Sequence, residues 1–185
     1  MRTKNIQLKI FTFDELSDEA KQRATDKYAE LFGYHFADEA IASLNGLAEH
    51  FAGRVKDYSL DWFNSSPSSV KFDMPELEES DIAERLARLG SYNEETKRGN
   101  GDCVLTGYCS DEDAIDGFRQ AWHAGERELT RLMQAAFKTW LESAQADCRD
   151  FYSNEQFSEH ADANKYEFTE SGTFYREGKN NLVPA

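Results

Sequence analysis

Apolar and polar residues alternate with period two from Asn5 to Phe13. Ile6, Leu8, Ile10 and Thr12 fall on one side and Gln7, Lys9, Phe11 and Phe13 on the other, which predicts a strand. The period then lengthens. Ser17 is placed to cap a helix whose first turn holds Asp18 and Glu19, and Ala20, Ala24, Tyr28, Leu31 and Phe32 mark its apolar face up to Gly33. A second helix is predicted from about Asp38 to Phe51, with Ala40, Ile41, Leu44, Leu47, Ala48 and Phe51 at 3–4 spacing and Gly53 as its left-handed stop.

From Arg54 the pattern turns aromatic and alternating: Val55, Tyr58, Leu60, Trp62 and Phe63, then Val70, Phe72 and Met74. The turn-forming run 64–69 between them predicts two antiparallel strands. Glu76 to Leu89 reads as a short acidic helix with Leu77, Ile82, Leu86 and Leu89 inward, residues 93–102 as a polar loop, and Cys103 to Tyr108 as a further strand. Ser110 with Asp113 three residues on forms a capping-box pattern. It opens a helical repeat of about 30 residues from Ile115 to Ala144, in which Gly125 is the residue suited to break it. Asn154 to Ala163 reads as a helix, and Tyr166–Phe168 with Thr173–Tyr175 as a closing hairpin.

This order is not a βαβ alternation. Grouped helices between adjacent strand pairs predict an α+β fold, an antiparallel sheet covered on one face by helices, with one long helix in the C-terminal half. At 185 residues with 39% hydrophobic content, one core is expected, in a single domain over 1–175 followed by a loose tail over 176–185. The basic start is not followed by a sustained apolar stretch, so neither a signal peptide nor a transmembrane helix is expected, and the predicted location is the cytoplasm of a host bacterial cell.

Charge changes the picture. The chain carries a formal −14, which disfavours direct contact with nucleic acid or an anionic membrane and favours a basic protein surface. Spread over the roughly 9,000 Å² expected for this mass, the excess is about one charge per 650 Å², against about one phosphate per 100 Å² on a duplex. Any DNA mimicry is therefore local. Residues 73–84 hold Asp73, Glu76, Glu78, Glu79, Asp81 and Glu84, and residues 101–118 hold Asp102, Asp111, Glu112, Asp113 and Asp116, neither with a lysine or arginine.

Candidate chemistry adds little. His35, His50, His123 and His160 are scattered, and Cys103, Cys109 and Cys148 make neither a metal-ligand pattern nor a disulfide framework. No glycine-rich phosphate loop is present, and Cys109 sits before Ser110-Asp111-Glu112-Asp113, whose charge opposes a thiolate. No catalytic residue, metal site or cofactor is assigned. Tyr58, Trp62, Phe63 and Phe72 lack the basic groove of a base-stacking surface and are expected in the core. The stripe with Trp122 and Trp140 also reads as core, with a homodimer seam as its alternative.

The segment IFTFDELSDEAKQRA at Ile10–Ala24 resembles the opening of small phage and mobile-element proteins that share an N-terminal strand followed by FDELS-x-EAK. DYSLDWF at Asp57–Phe63, GDCVLTGYCSDEDAIDGF at Gly101–Phe118 and YEFTESGTFY at Tyr166–Tyr175 also resemble that family. Members are described as uncharacterised, antitoxin-like or anti-defence proteins, so the resemblance implies a setting and carries no catalytic residues.

The expected function is therefore non-enzymatic: a phage-type protein that binds and inhibits a basic host protein or nucleoprotein complex, such as a CRISPR effector. Its predicted contacts are Glu76, Glu78, Glu79 and Asp81, and secondly Asp111, Glu112, Asp113 and Asp116. The alternative is an antitoxin-like protein that neutralises a basic toxin.

Overall fold

A computed structural model of the chain describes residues 8–63, 65–89 and 105–175. The fold is α+β, with six helices among the described residues. Its contacts divide the chain into two compact units, one from residues 1–33 and 149–185, the other from Tyr34–Cys148. The predicted loop 93–102 and tail 176–185 lie outside the described residues.

The first unit contains β1 (Ile10–Phe11), α1 (Asp18–Phe32), α6 (Asn154–Ala163), β4 (Glu167–Thr169) and β5 (Phe174–Tyr175). Its sheet runs β1-β4-β5, antiparallel throughout, with Phe11 opposite Phe168 and Phe168 opposite Phe174. Within the described residues β1 is shorter than the alternation predicted. The Thr12 amide donates to Glu15 Oε2 at 2.8 Å instead of continuing the ladder, and the Leu16 amide turns back to the Phe13 carbonyl at 3.1 Å.

Ser17 caps α1 by accepting the Ala20 amide, and Gly33 ends the helix with φ 62°. Phe13, Leu16, Ala20, Ala24, Tyr28, Phe157, Ala161 and Phe168 form the core of this unit. Its rings meet edge to face, as in Phe13–Phe157 at 5.0 Å and 72°, the arrangement that ring quadrupoles favour. Tyr28 donates or accepts a hydrogen bond with His160 Nε2 at 2.9 Å, and burial, reinforced by Tyr166, pushes its phenol upward.

The second unit contains α2 (Ala37–His50), β2 (Arg54–Ser59), β3 (Ser69–Asp73), α3 (Glu79–Arg88), α4 (Ser110–His123) and most of α5 (Leu129–Phe151). The last three residues of α5 belong to the first unit. β2 and β3 form a separate two-stranded sheet. The strands thus make two antiparallel sheets, one in each unit. Cross-strand pairs Arg54–Asp73 at 2.7 Å and Lys71–Asp57 at 3.7 Å occupy one face of the hairpin, while Val70 is buried on the other.

The end of α2 differs from expectation. Ala52, not Gly53, takes the left-handed position at φ 62°, and the Gly53 amide reaches back to the Ala48 carbonyl at 2.9 Å. Glycine is needed at 53 for space, because a Cβ there would lie 2.9 Å from the Asp73 carbonyl oxygen. The long helical repeat is two helices. Gly125, at φ 99°, closes α4 through bonds from Glu126 N to Ala121 O and from Gly125 N to Trp122 O, the paired pattern of a left-handed cap.

α4 and α5 approach closely at Gly117, where a Cβ would meet Thr139 Oγ1 at 2.7 Å. Phe51 stacks on Phe118 with centroids 4.5 Å apart. Trp140 is fully buried with its indole N–H donating to the Ala40 carbonyl at 2.8 Å, so it supplies no exposed dimer seam. Of the aromatic set around the hairpin, Trp62 packs on Trp140 and Tyr34, but Tyr58 and Phe63 are exposed rather than core.

Two other elements differ from expectation. Leu105–Tyr108 is a turn, not a strand, and Cys103 lies outside the described residues. α3 begins at Glu79 rather than Glu76, with Glu78 as an extended N-cap (ψ 154°) and Glu76–Leu77 ahead of it outside the helix.

Candidate functional site

The first acidic segment leaves β3 as extended chain and enters α3, so Glu76 and Glu78 precede the helix while Glu79 and Asp81 lie in its first turn. Carboxylates there face the partial positive charge of the helix start. Ile82 and Leu89 anchor α3 with their side chains buried. Its docking on α2 is reciprocal: His50 Nε2 lies 2.7 Å from the Arg85 carbonyl oxygen, and Arg85 donates to the His50 carbonyl at 2.7 Å.

With the buried side anchored, Glu76, Glu78, Glu79 and Asp81 are all exposed. Among the described residues Glu76, Glu78 and Asp81 enter no ion pair. Glu79 does: its Oε1 accepts from Arg127 Nε at 2.7 Å. The Arg127 guanidinium also lies 4.2 Å from the Trp122 ring centroid and donates to the carbonyls of Trp122 and Glu126, each at 2.8 Å.

The second acidic segment does not form one face. Successive helix positions turn by about 100°, so a run of acids is distributed around α4. Glu112 and Asp116, one turn apart, are exposed, whereas Asp111 is fully buried and Asp113 half-buried. Asp116 Oδ1 lies 4.0 Å from Arg119. Asp111 is a structural group, which corrects its predicted role in partner contact.

The Asp111 carboxylate accepts the amides of Leu105 at 3.0 Å and Thr106 at 2.8 Å, and the Thr106 hydroxyl at 2.7 Å. Ser110 reaches Ser43 at 2.8 Å instead of capping α4, so the expected capping box does not form. Burial pushes the Asp113 carboxyl upward, and nearby Asp147, Asp116 and Glu112 add to the rise against a hydrogen bond from Ser143.

Two acids that sequence reasoning did not single out hold turns. Asp61 accepts from the Phe63 amide, the Ser65 hydroxyl and both the amide and hydroxyl of Ser66 at 2.5–2.9 Å, and these donors, the two hydroxyls first, hold its carboxyl well below the usual range. Glu126 accepts the amides of Glu128 and Arg127 ahead of α5, which lowers its carboxyl too. The signal for both was local: an acid followed within five residues by free hydroxyls or amides.

Among the described residues no three His, Cys, Asp or Glu side chains gather as metal ligands. Cys109 is exposed and Cys148 buried. No helix among the described residues is long and apolar enough to cross a membrane. Comparison with family models, curated proteins and solved structures finds no match to this chain.

Proposed function

We propose that this protein acts by binding a basic protein surface through the carboxylates of Glu76, Glu78, Glu79 and Asp81, with Glu112 and Asp116 as a second, smaller acidic group. The single observation that carries the reading is that three of the four leading acids are exposed on an anchored segment and enter no ion pair with the described residues. Such charges speed encounter and set register more than they add affinity. The phage setting implied by the resemblance makes a host nucleic-acid-processing defence complex, in the bacterial cytoplasm, the kind of target proposed.

The test is affinity purification from bacterial lysate with the wild-type chain and with Glu76→Lys, Glu78→Lys and Asp81→Lys combined. The expected result is a basic partner retained at low salt, released at high salt and lost by the variant. Equal recovery by both proteins overturns the reading.

A further inference from the structure

The geometry around Arg127 points to a guanidinium-binding site whose resident, Arg127 itself, is exchangeable with an arginine from a partner. This inference rests on the proposal that the Glu76–Asp81 face receives a cationic protein, and it names the cation. Four groups converge on the planar head: the Glu79 carboxylate at its Nε, the carbonyls of Trp122 and Glu126 at one terminal nitrogen, and the Trp122 ring at 4.2 Å. A carboxylate beside an aromatic face suits arginine, whose flat, weakly hydrated head can stack and donate in one plane. A lysine ammonium is a compact, strongly hydrated charge that stacks and pairs less well.

The resident is held where it can leave. Arg127 lies in the connection between α4 and α5, two residues after Gly125, and its side chain is 42% exposed against 63% for Glu79. An exposed ion pair of this kind contributes little to stability, and Arg127 itself is exposed, outside the buried core. Glu79 would then pair with an incoming arginine in the same place, and the exposed charges of Glu76, Glu78 and Asp81 in the same segment add long-range attraction.

The test uses nona-arginine and nona-lysine peptides at fixed ionic strength, with affinities measured by fluorescence anisotropy. Arg127→Gln empties the site, and nona-arginine is expected to bind this variant at least about threefold more tightly than wild type, with nona-lysine gaining less. Arg131→Gln removes the same charge nearby and should give no arginine preference. Adding Trp122→Leu or, independently, Glu79→Gln to Arg127→Gln should abolish the preference.

Equal gains for both peptides, or an equal gain from Arg131→Gln, would mean that only net charge changed and overturn the guanidinium site while leaving the acidic face intact. No binding of either peptide to any variant overturns both.

Discussion

The hydroxyl of Thr106 donates to Asp111 Oδ1 at 2.7 Å, and the backbone amides of Leu105 and Thr106 converge on the other oxygen. A carboxylate with no exposed surface is thus satisfied by the turn that precedes its own helix. Asp111→Ala would leave three donors without their acceptor. The expected loss is about 2–3 kcal/mol of stability, read from the urea midpoint. Glu112→Ala, one residue on and exposed, should stay within about 0.5 kcal/mol. Equal costs for the two would show that burial at 111 does not govern its role.

Asp113 sets a pH dependence of opposite sign to a salt-bridged acid. Burial and neighbouring acids raise its folded-state pKa, so the folded protein disfavours the ionised form. Its contribution is least unfavourable below the unfolded carboxylate range near about 3.9 and grows more unfavourable as pH rises through the folded pKa. Asp113→Asn should therefore stabilise the protein at neutral pH, with the gain shrinking in acid. Urea unfolding across the acid range measures this; a gain that persists unchanged at low pH would place its cause elsewhere.

Gly172 has φ 84°, and a Cβ there would lie 2.2 Å from the Ala20 carbonyl oxygen. Arg23 reinforces the contact by donating to the Ser171 carbonyl at 3.0 Å. Gly172→Ala combines backbone strain with a main-chain clash, so a loss of about 2–3 kcal/mol is expected. Gly107, at φ 89° with nothing within 4 Å of its virtual Cβ, isolates the backbone part, and Gly107→Ala should cost only about 1 kcal/mol. Thermal or urea unfolding of the pair checks the difference.

Much of the local structure was legible because its causes lie within a few residues. Ser17 and Gly33 bracket α1, residues 65–68 of the predicted turn run fall between β2 and β3 while Ser69 already pairs in β3, and Gly125 divides the long repeat. Errors arose where a distant or backward-reaching partner took over. Asp111 drew Leu105 and Thr106 into a turn that alternation alone reads as a strand, and Ser43 took the Ser110 hydroxyl that would have capped α4.

The candidate site divides in the same way. The segment before α3 kept its acids outward because extended chain and a first helical turn both leave charged side chains in water, whereas the 111–116 run was wound around a helix with one side in the core. Arg127 was not visible as a partner of Glu79, since 48 residues separate them and no local rule joins the two.

From the residues alone came the α+β class, most element types, several of their ends, the acidity and the absence of a recognisable catalytic motif. These follow from propensity, period and formal charge, which act over one or two turns of chain. Tertiary structure decided the division into two units and two sheets, the burial of Asp111 and Trp140, and the seating of Arg127 on Trp122 against Glu79. Those outcomes depend on which distant surfaces exclude water from one another, and on which polar groups then find partners inside.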